Sequence, residues 1–235
     1  MAVNCLSFDG GDDVSFGNNA AHQITGKLGI EIWLKLAAIS AVQVVVSKYD
    51  SGGAAGYELQ LTAAGKAQFL LDNAAGSCVG GTDVDDGTWH HVACVRDTDP
   101  ATDDQFIYLD AVQDGTLAEN ITLVDSGENF SLGKRADLGT NLYTGKCSDL
   151  RLWTTDRSSA NIAADYQTRL VGNETNLVGY WKIDEGTGTS LDDKTSNALD
   201  GTFGAAGAAP TWATDGPSVF EAVSAASGIS GYGDF

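Results

Sequence analysis

The segment that decides the fold is Asp86-Gly87-Thr88-Trp89-His90-His91-Val92-Ala93-Cys94-Val95-Arg96-Asp97, followed by Phe106-Ile107-Tyr108-Leu109-Asp110. An Asp-Gly turn opens a run of aromatic and β-branched residues, a polar loop interrupts it, and a second run ends at Asp110. Both alternating faces of the first run carry apolar side chains: Trp89, Ala93 and Val95 on one, Val92 and Cys94 on the other. A strand of this kind is covered on both sides, so we predict two neighbouring strands inside a layered β-structure.

The composition fits one large β domain. A chain of 235 residues with 29 glycines and three prolines suits many short strands joined by tight turns. The net charge is −19, from 13 basic and 32 acidic residues, and this argues against nucleic acid and anionic membranes as partners. No apolar stretch reaches the length of a transmembrane helix, so we expect no membrane insertion.

The start of the chain and its cysteines bear on the compartment. The first eight residues contain neither a basic region nor an apolar run, and we predict that no secretory signal is present. Cys5, Cys78, Cys94 and Cys147 lie far apart without a Cys-x-x-Cys spacing. We therefore expect reduced, buried strand residues rather than disulfides or zinc ligands, unless the chain is the mature product of an exported precursor.

Alternating patterns predict most of the remaining chain as strands. Two short strands flank an Asp/Gly turn within residues 3–16, and residues 106–110 are expected to turn back through Asp114-Gly115. The further predicted strands cover residues 30–36, 42–49, 57–61, 67–71, 121–124, 130–132, 147–153, 177–183 and 210–212.

One segment has helical periodicity. In residues 158–170, Ile162, Tyr166 and Leu170 recur at every fourth position, with Ser158 as the N-cap and Gly172 as the stop. We predict a short helix that plugs one end of a β-sandwich.

The composition divides the chain into two parts. We predict a sandwich domain over residues 1–215 and a Gly/Ser/Ala-rich arm over residues 216–235. The arm has too few large side chains to bury a face of its own, so it is expected to lie across a neighbouring subunit of an assembly. Its predicted anchors are Val219, Phe220, Val223, Ile229, Tyr232 and Phe235.

Several of these segments, in this order, carry a resemblance to a known family. They are Leu6-Ser7-Phe8-Asp9-Gly10-Gly11-Asp12-Asp13-Val14, Ser47-Lys48-Tyr49-Asp50, Gly87-Thr88-Trp89-His90-His91-Val92-Ala93, Tyr108-Leu109-Asp110, Gly145-Lys146-Cys147-Ser148-Asp149-Leu150-Arg151-Leu152-Trp153 and Leu177-Val178-Gly179-Tyr180-Trp181-Lys182-Ile183-Asp184-Glu185-Gly186-Thr187-Gly188. Over about residues 3–213 the chain resembles the laminin-G-like domains of the concanavalin A-like lectin/glucanase superfamily.

The resemblance implies an all-β fold, a concanavalin A-like jelly-roll sandwich of two antiparallel sheets with one short helix. Two departures from the family pattern are visible: Ala111 stands where a turn glycine is usual, and Cys147 replaces an aliphatic residue. Because this fold carries lectins, hydrolases, adhesion modules and structural shells, it does not by itself give the function.

The sequence argues against catalysis. Glucanases on this fold carry Glu-x-Asp-x-Glu on one strand, which aims two carboxylates at the glycosidic bond from one face. The nearest segment here, Lys182-Ile183-Asp184-Glu185, lacks the first glutamate and places its two acids on opposite faces. His22, His90 and His91 show no metal-ligand spacing, so we predict that the chain is not an enzyme.

One acidic loop is a candidate calcium site. In related domains a loop similar to residues 192–201 often binds calcium near an Asp-Gly-x-Asp-Asp turn, and hard cations prefer carboxylate and carbonyl oxygens. The candidate ligands are Asp9, Asp12, Asp13, Asp192, Asp193, Asn197 and Asp200. The alternative is that these acids only cap turns through bonds to the backbone.

Two functions remain open at this stage. The favoured one is a non-enzymatic structural protein of a large assembly, a virion decoration or fibre protein exposed on the virion surface, whose partners are other subunits and whose secondary role is glycan binding. The alternative is a carbohydrate-binding or adhesion module of a secreted or cell-surface protein. Tyr49, Tyr57, Tyr143 and Trp153 could stack on sugar rings, although aromatic residues in such strands are mostly core.

Overall fold

A computed structural model describes residues 2–53, 55–72, 77–99, 104–118 and 121–220. Within that part of the chain, two antiparallel eight-stranded sheets pack face to face, which confirms the predicted jelly-roll sandwich. The strands are β1 (Cys5–Asp9), β2 (Val14–Ser15), β3 (Leu28–Lys35), β4 (Gln43–Asp50), β5 (Ala55–Leu61), β6 (Lys66–Leu71), β7 (Cys78–Asp83), β8 (His90–Arg96), β9 (Asp104–Leu109), β10 (Val112–Ala118), β11 (Ser131–Leu132), β12 (Thr144–Trp153), β13 (Leu177–Trp181), β14 (Ser190–Leu191), β15 (Gly201–Phe203) and β16 (Thr211–Ala213).

Helix α1 (Ser159–Asp165) packs on one of the two sheets, which we call the helix-side sheet. The helix-side sheet has the order β10-β9-β8-β3-β12-β1-β16, with β13 paired to β12, and the opposite sheet has the order β14-β15-β2-β11-β4-β5-β6-β7. Strand β3 runs through the middle of the helix-side sheet. Its register pairs Trp33 with His91 of β8 and with Ser148 of β12.

Strand β3 explains how the sandwich gains its core. Ile30, Ile32 and Leu34 have no exposed surface and belong to the main core between the sheets. Because strand side chains alternate between faces, Glu31, Trp33 and Lys35 point away from that core, onto the outer face of the helix-side sheet. The functional features described below are built on that outer face.

Strand β8 confirms the prediction of a strand covered on both sides. Val92 and Cys94 lie in the main core, while Ala93 and Val95 pack on the outer face against Ile162. Ile162 belongs to helix α1 (Ser159–Asp165), whose N-cap is Ser158 as predicted.

The helix differs from its prediction in length and position. It ends at Asp165 instead of continuing to residue 170, and it lies on the outer face of the helix-side sheet instead of plugging one end. The guanidinium group of Arg151 explains the early end, since it binds the carbonyl oxygens of Asp165 and Thr168 at 3.2 and 2.6 Å.

Two strand and turn predictions were wrong. Residues 121–124 form no strand, and the β9–β10 hairpin turns at Asp110 and Ala111, whose φ angles are 49° and 67°. Gly115 lies inside β10 instead, next to a register shift. A side chain at this position would lie 2.8 Å from the carbonyl oxygen of Val79, so the glycine serves close strand packing and not the turn.

The folded domain continues beyond the predicted boundary at residue 215. Gly216 donates to the carbonyl of Val3, and a 3₁₀ turn at Ser218–Phe220 buries the ring of Phe220. We call residues 215–220 the C-terminal strap. Phe220, predicted as an anchor for a neighbouring subunit, is therefore buried in its own domain, while Val219, also predicted as an anchor, is half-buried in the same turn. The other predicted anchors, Val223, Ile229, Tyr232 and Phe235, lie outside the described residues.

His22 is a buried histidine at one end of the core. It has no exposed surface, packs against Phe130 and Trp181, and its Nδ1 lies 3.3 Å from the carbonyl oxygen of Gly17. That geometry calls for the tautomer with a proton on Nδ1. Burial lowers the pKa of His22 from 6.5 to about 4, because the charged imidazolium loses its hydration.

We expect the His22→Asn variant, which keeps a donor near Gly17 but does not titrate, to show a weaker acid dependence of stability. The folded-state pKa is lowered, so the unfolded chain takes up a proton first as the pH falls below 6.5, and stability is lost until about pH 4. Across that window the stability advantage of wild type over the variant should shrink by about 3 kcal/mol. Urea unfolding at both ends of the window measures this, and a constant difference would contradict it.

Candidate functional site

A groove of about 490 Å³ lies on the outer face of the helix-side sheet, between the end of helix α1 and the C-terminal strap. Three aromatic side chains line it, namely Trp33, Trp89 and Tyr166. Its other walls come from Lys35, Gly87, Thr88, Asp110, Gln167, Pro217, Ser218 and Val219. Aromatic surface combined with a few polar groups is typical of sites that bind small ligands.

The aromatic walls are held in place by hydrogen bonds. Trp33 donates from Nε1 to the carbonyl of Tyr166 at 3.0 Å, and the two rings are almost parallel, at 11° and 6.1 Å between centroids. Trp89 donates from Nε1 to the carbonyl of Asp215 at 2.8 Å. Since both indole N–H groups are used within the protein, the rings are fixed before any ligand arrives.

The C-terminal strap forms one side of the groove. The carboxylate of Asp215 binds Lys146 at 2.6 Å and Lys35 at 3.2 Å, and hydrogen bonding to both lysines lowers the pKa of Asp215. Phe220 packs edge-on against Trp33, with the guanidinium group of Arg169 4.1 Å from its ring centroid. The strap is therefore attached at both ends.

A polar cluster lies at the opposite rim. His90 Nδ1 is 2.8 Å from Asp110 Oδ2, and its Nε2 is 3.0 Å from the hydroxyl of Thr88. This order of groups resembles a hydrolytic triad. However, the Thr88 hydroxyl lies 2.7 Å from a carboxylate oxygen of Asp86, which can only accept. The hydroxyl proton is thus directed to Asp86 and not to the imidazole, so the cluster holds the rim in shape and is not arranged to activate a nucleophile.

A buried ionic network beneath helix α1 positions Tyr166. Glu31 has no exposed surface and binds Arg157 at 2.8 Å and Arg151 at 3.3 Å. Arg157 continues to Asp165 at the end of the helix, at 2.7 Å. Burial alone would raise the pKa of Glu31, but His91 and the two arginines outweigh it and lower the pKa to about 2.

The aromatic residues considered as sugar platforms from the sequence are buried. Tyr49, Tyr57, Tyr143 and Trp153 are at most 4% exposed. The groove instead presents Trp89 and Tyr166, which are half-buried, while its third aromatic residue, Trp33, is itself only 4% exposed and supports Tyr166. A signal for one of them was present: Trp33 is a large aromatic residue on the polar face of an amphipathic strand, between Glu31 and Lys35.

The candidate calcium ligands fall into two separate places. Strand β2 pairs Val14 with Phe203 and Ser15 with Thr202, so Asp13 lies beside Gly204 while Asp200 precedes the other end of β15. The turn at residues 9–13 is internally bonded. Asp12 accepts from the Asp9 amide at 2.9 Å, and Asp13 pairs with Lys134 at 3.0 Å.

The loop at residues 192–200 is organised around Asp193. Its carboxylate accepts from the amides of Tyr180, Thr195 and Leu199 and from the Thr195 hydroxyl, at 2.7–3.0 Å. Asp200 accepts from the Asp193 amide at 2.9 Å, Asp192 lies 3.3 Å from Lys194, and Asn197 donates to the carbonyl of Val178.

Such bonding is that of turn-capping acids. In the described part of the chain, no group of three or more His, Cys, Asp and Glu side chains is placed to hold a metal ion. Both carboxylate oxygens of Asp193 are thus used by the protein itself, and calcium binding stays a prediction of the sequence.

Residues 8–163 match the Laminin_G_3 model, which is described as belonging to the concanavalin A-like lectin/glucanases superfamily. The chain belongs to this superfamily.

A search of curated proteins finds no match to the sequence. No helix in the described ranges has the length and apolar character needed to cross a bilayer.

Solved structures of this concanavalin A-like fold are similar to the chain. A Bacteroides ovatus protein proposed to bind carbohydrate has a TM-score of 0.74 at 16% identity, over 92% of this chain and 61% of its own. The chain thus spans less than two thirds of that protein. The others include the heptameric SAP-like pentraxin of Limulus polyphemus, with a TM-score of 0.52 at 16% identity over 68% of this chain and 80% of its own. The CBM40 of the Ruminococcus gnavus IT-sialidase has a TM-score of 0.52 at 15% identity, over 68% of this chain and 95% of its own.

We expect Asp193→Ala to lower the melting temperature, because the variant leaves three backbone amides and one hydroxyl without their acceptor. The free energy of unfolding should fall by about 2–4 kcal/mol, which is the cost of leaving these hydrogen-bonding groups unsatisfied in a partly buried site. Asp192→Ala, which removes only an ion pair with an exposed carboxylate, is the matched control and should change stability by less than about 1 kcal/mol.

The same melting experiment tests the calcium prediction. Calcium bound only by the folded state raises the melting temperature of metal-stripped wild type by mass action. An unchanged melting temperature would leave turn capping as the role of the loop.

Proposed function

We propose that the chain is a non-catalytic glycan-recognition domain that binds sugar in this groove, on the half-buried rings of Trp89 and Tyr166, with Trp33 as their buried support. The observation that carries this is the combination of preorganised aromatic surface with hydrogen-bonding groups at one solvent-accessible place on the fold. The apolar faces of sugar rings pack on aromatic rings, and their hydroxyl groups need polar partners at the edges.

The fold and its neighbours support this proposal. The structural neighbours include the sialidase CBM40 and the Bacteroides protein proposed to bind carbohydrate. The Thr88–His90–Asp110 cluster gives no activated nucleophile, which is consistent with recognition without catalysis. A domain with this role would work outside the cell, on a cell surface or on the surface of a virion.

Substitution of two aromatic residues tests the groove. We expect Trp89→Ala and Tyr166→Ala each to weaken binding of the best ligand from a glycan array by about tenfold or more, since each removes a stacking surface. Trp212→Ala is the control, because Trp212 is half-buried and bonded to the carbonyl of Gly188, away from the groove. Isothermal titration calorimetry measures the affinities. Equal affinity of all three variants and wild type would refute the groove as the binding site.

We propose as a second role that the domain is a structural component of a large assembly, such as a virion decoration or fibre protein. The observation that favours it is the fixed position of Phe220 against Trp33 and Arg169. Residues 221–235 follow Phe220 directly in the sequence. An arm formed by Val223, Ile229, Tyr232 and Phe235 would reach a neighbouring subunit from there.

Two truncations separate the arm from the strap. Deletion of residues 221–235 should leave the melting temperature and glycan binding unchanged while the protein no longer co-sediments with the particles into which it is built. Deletion of residues 217–235 also removes Phe220 and should lower the melting temperature, because burial of a phenylalanine ring is worth about 1.5–3 kcal/mol. Normal co-sedimentation of the shorter deletion would contradict the arm.

A further inference from the structure

We infer that the groove selects uncharged sugar rings over sialylated or sulfated ones, with the carboxylate of Asp110 accepting hydrogen bonds from the sugar hydroxyl groups. This inference rests on the proposed glycan-binding function and adds the class of ligand. It follows from how the charges around the groove are paired, from the orientation of Asp110 and from the space at the rim.

The cations near the groove are already engaged. Lys35 and Lys146 share the carboxylate of Asp215, at 3.2 and 2.6 Å. Arg169 lies against the ring of Phe220 and binds Asp149 at 2.8 Å. A sugar carboxylate or sulfate needs a cation whose donors face the ligand, because charge-assisted bonds are what repay the loss of its hydration.

The two arginines beneath the groove are also held in ion pairs. Arg151 is completely buried between Glu31 and Asp149, and Arg157 bridges Glu31 and Asp165. Turning either guanidinium group towards a ligand would break an ion pair with the fully buried Glu31, so neither group is available to an anionic ligand. Among the described residues that line the groove, Lys35 is the one Lys or Arg, and its ammonium group is already paired with Asp215.

The solvent-facing side of the rim carries negative charge. The side chains of Asp110 and Asp86 are 41% and 51% exposed, and they flank His90. With Asp215, three carboxylates lie near the groove, beside the imidazole of His90 and the ammonium groups of Lys35 and Lys146. The net charge of the chain, −19, adds a long-range repulsion for anions.

Asp110 is oriented to accept from a ligand. One of its oxygens binds the amide of His91 and the other binds His90 Nδ1, both at 2.8 Å. A carboxylate has acceptor sites beyond these two, so each oxygen can take a further hydrogen bond. Two neighbouring sugar hydroxyl groups can then donate to a carboxylate that is already fixed in place, which limits the entropy lost on binding.

Gly87 keeps the approach to this carboxylate open. Its φ is +85°, and a side chain added there would meet no atom within 4 Å. The rim is therefore open at this position, and the left-handed conformation favours glycine. A sugar ring can lie over the aromatic surface while its edge reaches Asp110.

The test compares matched glycans that differ only in charge. An array carries galactose-, glucose- and mannose-terminated oligosaccharides, each beside its sialylated and its sulfated derivative. Calorimetry on the best pair should give an affinity for the neutral member that is higher by on the order of tenfold. Raising NaCl from about 0.05 to about 0.5 M should leave the affinity for the neutral glycan unchanged. It should also reduce the difference in affinity between the neutral and the charged glycan, because salt screens the repulsion of the charged one.

A charge-neutralising variant tests the role of Asp110. Asp110→Asn should weaken neutral binding by about tenfold and reduce the discrimination against the sialylated member, as it removes both an anion and acceptor capacity. Asp192→Asn, which neutralises an exposed carboxylate on another loop, is the matched control and should change neither quantity. Melting temperatures of both variants verify that they are folded.

The outcomes separate the inference from the proposed function. Preference for the neutral member with dependence on Trp89 and Asp110 supports both. Equal or tighter binding of the sialylated or sulfated member, still lost in Trp89→Ala, overturns the inference and leaves the glycan-binding function standing. Absence of binding to every member of the array overturns both.

Discussion

The carboxylate of Glu31 is the constraint on which the outer face of the helix-side sheet depends. It is fully buried, yet ionised, because two guanidinium groups and His91 surround it. Arg151 and Arg157 reach from there to the carbonyl of Thr168 and the carboxylate of Asp165, so one side chain on β3 fixes both the helix and the turn that follows it. Networks of this kind contribute less to stability than an apolar core would, but they allow a single arrangement of the groups they join.

The shape of the groove depends on this ionic network around Glu31. Tyr166 directly follows helix α1, and its carbonyl accepts the indole N–H of Trp33, so the position of the helix sets the aromatic wall. The C-terminal strap supplies the other side through Asp215 and Phe220. The candidate site is therefore assembled from segments far apart in the sequence, on the face of the sheet that the main core does not use.

The sequence was a good guide where local pattern decides structure and a poor one where long-range contacts decide it. Alternation in residues 30–36 and 86–110 predicted strands and their buried faces, and Ser158 predicted the start of the helix. The end of the helix could not be predicted, because it depends on Arg151, a residue of a distant strand. Gly115 was mistaken for a turn residue since the carbonyl it faces, that of Val79, is adjacent only in the folded protein.

The candidate site shows the same limit. No short motif joins Trp33, Trp89, Tyr166 and Asp110, and only the outward position of Trp33 on its strand marked it in the sequence. Conversely, the acidic turn and loop that did form motifs are bonded to their own backbones, and calcium binding there stays a prediction.

The close approach of Gly115 to Val79 also affects how molecules of this protein meet one another. Strands β10 and β7 are the outermost strands of the two sheets on the same side of the sandwich, and they lie against each other there, with Asp114 accepting from the amide and the hydroxyl of Thr82. Exposed strand edges are the usual templates for unwanted polymerisation. Along this seam the two edges pack against each other, so the addition of a strand from a second molecule is disfavoured here.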